Sequence, residues 1–235
     1  MSTKYKQTRL INNIYFCLYD TKPLAILANI HYVISMKNSF NKMLQGYQLF
    51  RAKYASGDNS VMQYLSHYGQ QPQVMVISCC DSRVDPALIL QCDPGDLFVV
   101  RNVANIVPPY EKDEMHHGTS AALEFGICFL KITHLILLGH SQCGGIQVLL
   151  DNPDADHNDF ITNWVSLIKT QHPTLNNADA YAKHALNLSL KNCLTFPWIK
   201  EKVERGELTV HQWFFDVKKG QIFTCENKDD GYQLL

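Results

Sequence analysis

The 235-residue chain is predicted to fold as an α/β protein, a central, mostly parallel sheet flanked by helices, with an N-terminal helical extension. Three observations predict it. Short continuous apolar runs recur as VMVI at 74–77, LFVV at 97–100 and LILL at 135–138, the pattern of strands covered on both faces. Residues 118–131 carry Ala121, Ala122, Leu123, Phe125, Ile127 and Leu130, a stretch that reads as a helix buried over most of its surface and long enough for a crossover. Polar clusters follow the first and third runs directly, where ligands gather beyond the C-terminal ends of parallel strands.

Taken in order, residues 1–36 show no clear period and form an N-terminal extension without an assigned role. From 37 to 53, Phe40, Met43, Leu44, Tyr47, Leu49 and Phe50 recur at helical spacing. A second short helix over 61–68 is stopped by the sequence Gly69, Gln70, Gln71, Pro72. The three strands and the crossover follow. After a turn cluster at 151–154, helical patterns cover 160–169 and 181–194, and Pro197 kinks or restarts the last. Residues 209–217, rich in aromatic and branched side chains, are expected to form a longer strand at the edge of the sheet. No repeat or linker interrupts this pattern, so 37–235 is expected to be one domain.

Composition narrows the function. The chain has 21 basic and 22 acidic residues, a net charge of -1, so no uniform basic field exists to hold nucleic acid or an anionic membrane. A 46% hydrophobic share gives ample material for a core. No apolar run approaches the roughly 18 residues that cross a bilayer, and the nearest, 24–36, is broken by Asn29 and His31. Eight cysteines, two of them adjacent, do not make a disulfide scaffold; a reducing, cytoplasmic compartment is expected.

The chemistry lies in two segments. Ser78, Cys79, Cys80, Asp81, Ser82 and Arg83 follow the first run; Gly139, His140, Ser141, Gln142, Cys143, Gly144 and Gly145 follow the third. Thiolate and imidazole suit zinc, and three such ligands leave a fourth position open, as catalysis requires. Neighbours on a strand face opposite ways, so only one of Cys79 and Cys80 is expected to join His140 and Cys143. Arg83 can hold Asp81 ionised and away from the metal through parallel hydrogen bonds. Gly144 and Gly145, at a helix start, offer backbone N–H groups suited to an anion.

The motifs C-x-D-S-R at Cys79, Asp81, Ser82 and Arg83, and H-x-x-C-G-G at His140 to Gly145, resemble those of β-class carbonic anhydrases. The similarity runs through Pro94, Gly95 and Asp96, the segment 98–105 and Val107, Pro108 and Pro109, covering roughly 37–220. The resemblance implies Cys79, not Cys80, as the metal cysteine, and one Zn2+ per chain on Cys79, His140 and Cys143. It implies reversible hydration of carbon dioxide to bicarbonate by zinc-bound hydroxide, which Asp81 orients while Arg83 holds Asp81. It also implies a homodimer or dimer-based higher oligomer, with Gln70, Phe98, Val103 and Gly144 binding substrate and some of them serving the partner's zinc.

Val76 stands where the bicarbonate-regulated subtype has a tryptophan, so that allosteric pocket is expected to be absent; Gln70 and the Val-Pro-Pro segment resemble the plant-like subtype. Phe125 replaces that subtype's usual tyrosine, and Arg101 is given a structural role. Competing expectations are hydrolysis of a sulfur analogue such as carbonyl sulfide, and a non-catalytic zinc or redox module using the vicinal thiols. His116 and His117 are candidates for relaying protons.

Overall fold

The computed structural model describes residues 39–113, 115–152, 159–170, 177–225 and 231–235. The extension at 1–36 lies outside them. The chain divides into two compact units, Met1–Tyr64 and Leu65–Leu235. The first described helix, α1 (Ser39–Tyr54), falls in the first of them, and the motifs around Cys79 and His140 fall in the second. Its apolar residues Phe40, Met43, Leu44 and Tyr47 are exposed. Helix α2 (Val61–Tyr68) ends as expected before Pro72.

The second unit is built on one sheet. Strands β1 (Val74–Cys79), β2 (Leu97–Asn102) and β3 (His134–His140) coincide with the three apolar runs and extend each of them. They are joined by β4 (Thr209–Asp216), β5 (Gln221–Thr224) and the short β6 (Gln233–Leu234) in the order β2-β1-β3-β4-β5-β6. The first four strands are parallel and the last two antiparallel. The segment at 209–217 is thus not an edge strand: the turn through Gly220, at φ +65, folds β5 back along it. The four residues of β5 mix polar and apolar types, which left no period to read.

The register puts the ends of β1 and β3 side by side, Ser78 opposite Leu138, with Cys79 and His140 just beyond. Helix α4 (Gly118–Glu124) runs on as a wider π turn over Phe125–Phe129. It is less buried than its composition suggests. Leu123, Gly126 and Ile127 form one inward stripe, while Phe125 and Phe129 stack on each other and stay 43% and 69% exposed. Apolar content beyond one stripe cannot all face a single sheet.

Around this frame lie α3 (Pro86–Ile89), α5 (Gly144–Asp151), α6 (Phe160–Ser166), α7 (Ala178–Cys193) and α8 (Pro197–Glu204), the last restarted by Pro197 at its first turn. Helix α7 lies close over β3. A Cβ on Gly139 would sit 2.9 Å from the Leu186 side chain, so only glycine admits the helix at this distance. Asn187 of the same helix accepts from the Gln212 amide of β4 at 3.0 Å. These contacts fix the first turn of α7 relative to the strand that ends in His140.

Candidate metal and catalytic site

Cys79 ends β1, His140 ends β3, and Cys143 precedes the first turn of α5. All three are buried, and their ligand atoms lie within 4.8 Å of one another. Cys80 is exposed, as strand alternation requires. The two sulfurs are 3.9 Å apart. A tetrahedral ion with thiolates at about 2.3 Å places two sulfurs about 3.8 Å apart, so the pair fits zinc without rearrangement.

The histidine is prepared in the same sense. His140 Nδ1 donates to the Ser141 carbonyl at 2.8 Å, leaving Nε2 as the atom with a free lone pair. That Nε2 is buried with no hydrogen-bond partner. An orphaned imidazole nitrogen beside two buried thiols costs stability unless a cation occupies the space between them.

The thiols titrate as a pair. Cys79 is held below the ordinary thiol range, first by its contact with Cys143 and then by His140 and the backbone N–H groups of Asp81 and Ala104, against the opposing effect of burial. Cys143 is pushed up by the same contact and by burial, and eased by the N–H groups of Ile146 and Gly145. One proton leaves readily, and the second waits for a positive charge. Ala104 adopts the left-handed region at φ +61, a conformation that needs local support in a non-glycine residue. Its support is visible: a Cβ on Gly145 would meet Val103 Cγ1 at 2.6 Å and the Ala104 Cβ at 3.0 Å, so α5 starts directly against this turn.

Asp81 lies outside the three-ligand cluster, and Arg83 engages both its oxygens. Nε donates to Oδ1 at 2.9 Å, Nη2 to Oδ2 at 2.7 Å, and the Arg83 backbone N–H to Oδ1 at 2.9 Å. The guanidinium contact is the main reason that the carboxyl is held well below the usual carboxylate range. Arg101 supports the backbone beneath: its guanidinium donates to the carbonyls of Cys79 and Asp81 at 2.9 and 2.8 Å, and pairs with Asp85. This is the structural role expected of it.

The expected substrate residues divide. Val103 packs beside Gly145, and Gly144 faces open space next to Cys143. Phe98 is not brought to this chain's own cluster: it pairs with Met75, four residues upstream of Cys79, or about 13 Å along a strand. Gln70 is exposed in the loop before β1, at the strand end opposite the cluster. His117 pairs with Asp113 at 2.7 Å. Sequence reasoning missed Asp179, whose carboxylate accepts from the Gln142 backbone N–H at 2.8 Å; 37 residues separate the partners, and no motif links them.

An α/β fold with a cysteine–histidine–cysteine cluster at the C-terminal ends of adjacent parallel strands, flanked by an arginine-bound aspartate, defines a class of enzyme scaffold able to hold a metal ion with one position open. The comparisons resolve it further. The carbonic anhydrase family profile matches residues 74–222. The carbonic anhydrase of Synechocystis sp. is 36% identical over 197 residues, covering 79% of this chain and 70% of that one. The structure of the β-carbonic anhydrase CcaA superposes with a TM-score of 0.73 at 31% identity, covering 84% of this chain and 92% of that one. A tetrameric β-carbonic anhydrase of Sordaria macrospora gives 0.62 at 28%, covering 85% and 98%. The chain belongs to the β-class carbonic anhydrases.

Proposed function

We propose that the protein hydrates carbon dioxide reversibly to bicarbonate and a proton, using one zinc ion per chain held by Cys79, His140 and Cys143. The carrying observation is the buried, unpartnered Nε2 of His140 facing two thiols, while Arg83 occupies the carboxylate that could otherwise compete for the metal. Zinc bound there would act as a Lewis acid that lowers the pKa of a water in its open position.

The chain's own groups do the rest. Asp81 Oδ1 is filled by two donors from Arg83, whereas Oδ2 takes one, leaving a lone pair to accept a hydrogen bond from the attacking oxygen and orient it. Because Arg83 keeps Asp81 ionised, that oxygen accepts throughout the physiological range. Val103 supplies an apolar wall, and the first turn of α5 offers the N–H of Gly144 to the developing anion.

Gln70 and Phe98 lie away from this chain's cluster, which supports the reading that they serve a partner's site in a homodimer or a dimer-based assembly. Strand β2 forms one edge of the described sheet and carries Phe98, whose ring centroid lies 5.8 Å from that of the exposed Phe125, itself stacked on the exposed Phe129. The fungal relative is described as tetrameric. A cytoplasmic location is proposed on the free thiols and is tested by cell fractionation.

Stopped-flow carbon dioxide hydration at pH 7 and 8.5, with zinc counted per chain, tests the activity. About one zinc with turnover at both pH values is the expected result; bound zinc without turnover at either would replace this reading with a non-catalytic zinc module.

A further inference from the structure

Gln142 sits between two of the metal-site residues in the left-handed region, at φ +55, and its side chain is exposed. For a residue other than glycine this conformation is strained, and an exposed side chain provides no packing to offset it. The rest of the loop is held by its neighbours. Ser141 N–H donates to the Phe215 carbonyl, Ser141 Oγ accepts from Val217 N–H, and the Cys143 carbonyl accepts from Gln147 N–H. At Gln142, both backbone groups instead meet charged side chains. Its N–H donates to Asp179 Oδ1 at 2.8 Å, and its carbonyl accepts from Arg83 Nη2 at 3.1 Å.

Arg83 Nη2 is the same nitrogen that donates to Asp81 Oδ2. A continuous chain therefore runs from the Asp179 carboxylate through the Gln142 backbone to the Arg83 guanidinium and the Asp81 carboxylate. Its far end is anchored. Asp179 is in the first turn of α7, where Asn177 caps its backbone N–H at 2.8 Å, and α7 is packed on β3 and β4 through Leu186 and Asn187.

We propose that Asp179 is a positioning residue for the reaction, holding Gln142 left-handed so that its carbonyl fixes Arg83 and, through Arg83, Asp81. The proposal rests on the carbonic anhydrase reading. Asp179 touches neither substrate nor metal. Without its acceptor, Gln142 relaxes toward a right-handed or extended backbone, its carbonyl turns from Arg83, and the loop bearing His140 and Cys143 loosens.

Three variants test this: D179A, D179N, and D179A with Q142G. In D179A, release of zinc or cobalt(II) to a chelator quickens about tenfold and kcat falls about tenfold, in the range set by lost outer-shell partners, with KM changed less than about twofold. The cobalt(II) absorption bands shift with it. Asparagine keeps the accepting Oδ1, so D179N stays near the parent. Glycine adopts φ +55 without penalty, so Q142G recovers most of the metal retention lost in D179A. Metal release and kcat in folded D179A equal to the parent would overturn the proposal, as would D179N failing as badly as D179A. If the parent shows no hydration activity, the functional reading falls, while the metal-release comparison still decides the role of Asp179.

Discussion

Arg83 meets Asp81 edge-on, with two parallel hydrogen bonds of 2.9 and 2.7 Å from one guanidinium to the two oxygens of one carboxylate, and a third from its own backbone N–H. The arrangement uses the fork geometry that distinguishes arginine from lysine. It gives the aspartate a fixed orientation and charge beside the metal-ligand cluster without making it a ligand.

The Asp81→Asn variant keeps the shape but removes the charge and turns one acceptor into a donor facing Arg83. Carbon dioxide hydration is expected to fall by about 10- to 100-fold, while zinc stays near one per chain because no ligand has been altered. Stopped-flow rates and atomic absorption on the same preparation check both halves. Full activity in this variant would remove Asp81 from the mechanism.

The same pair has a signature in acid. Asp81 is ionised more easily folded than unfolded, so its contribution to stability is complete above the unfolded carboxyl value of about 3.9 and is lost as pH falls below that toward the depressed folded value. The stability difference between the parent and Asp81→Asn is therefore expected to be level from pH 8 to 5 and to shrink below about pH 4. Denaturant unfolding across that series measures it. A difference independent of pH would mean that the salt bridge is not what stabilises the loop.

His140→Ala removes the unpartnered nitrogen. Zinc content is expected to drop well below one per chain and hydration to background, with the far-ultraviolet circular dichroism unchanged because β3 keeps β1 and β4 on its two sides. Cys143→Ser should behave alike. Retention of stoichiometric zinc by both would place the metal elsewhere.

The parts of this architecture that sequence revealed are those governed by short-range pattern. Unbroken apolar runs marked β1, β2 and β3, and Pro197 marked the start of α8, because burial on both faces and a fixed φ leave signs within a few residues. A cysteine–histidine–cysteine cluster was legible because two motifs follow strands that crossover rules make neighbours, whereas the choice of Cys79 over Cys80 came from the family resemblance. Asp179 was not: its partner is a backbone amide, which has no residue identity to recognise, and the contact depends on how α7 lies over β3. The edge position expected of β4 failed similarly, since four weakly patterned residues of β5 suffice to cover an edge.

Gly144 and Gly145 separate folding from function at adjacent positions. A methyl on Gly145 would press within 2.6 Å of Val103 Cγ1, which packs against the core, and against the left-handed turn at Ala104, which is part of it. Gly145→Ala is expected to destabilise the protein by about 1–3 kcal/mol, the usual penalty for overpacking, seen as a lower denaturant midpoint at unchanged slope. A methyl on Gly144 meets nothing within 4 Å, and that residue's φ is not in the left-handed region, so Gly144→Ala should stay within about 0.5 kcal/mol of the parent. The space that the methyl would enter adjoins Cys143, where the proposed anion would sit. Activity is therefore expected to fall in Gly144→Ala while stability holds, with KM for bicarbonate rising more than kcat falls. Steady-state kinetics in the dehydration direction, run beside the unfolding curves, decides it: unchanged kinetics in a fully stable Gly144→Ala would move the anion away from the first turn of α5.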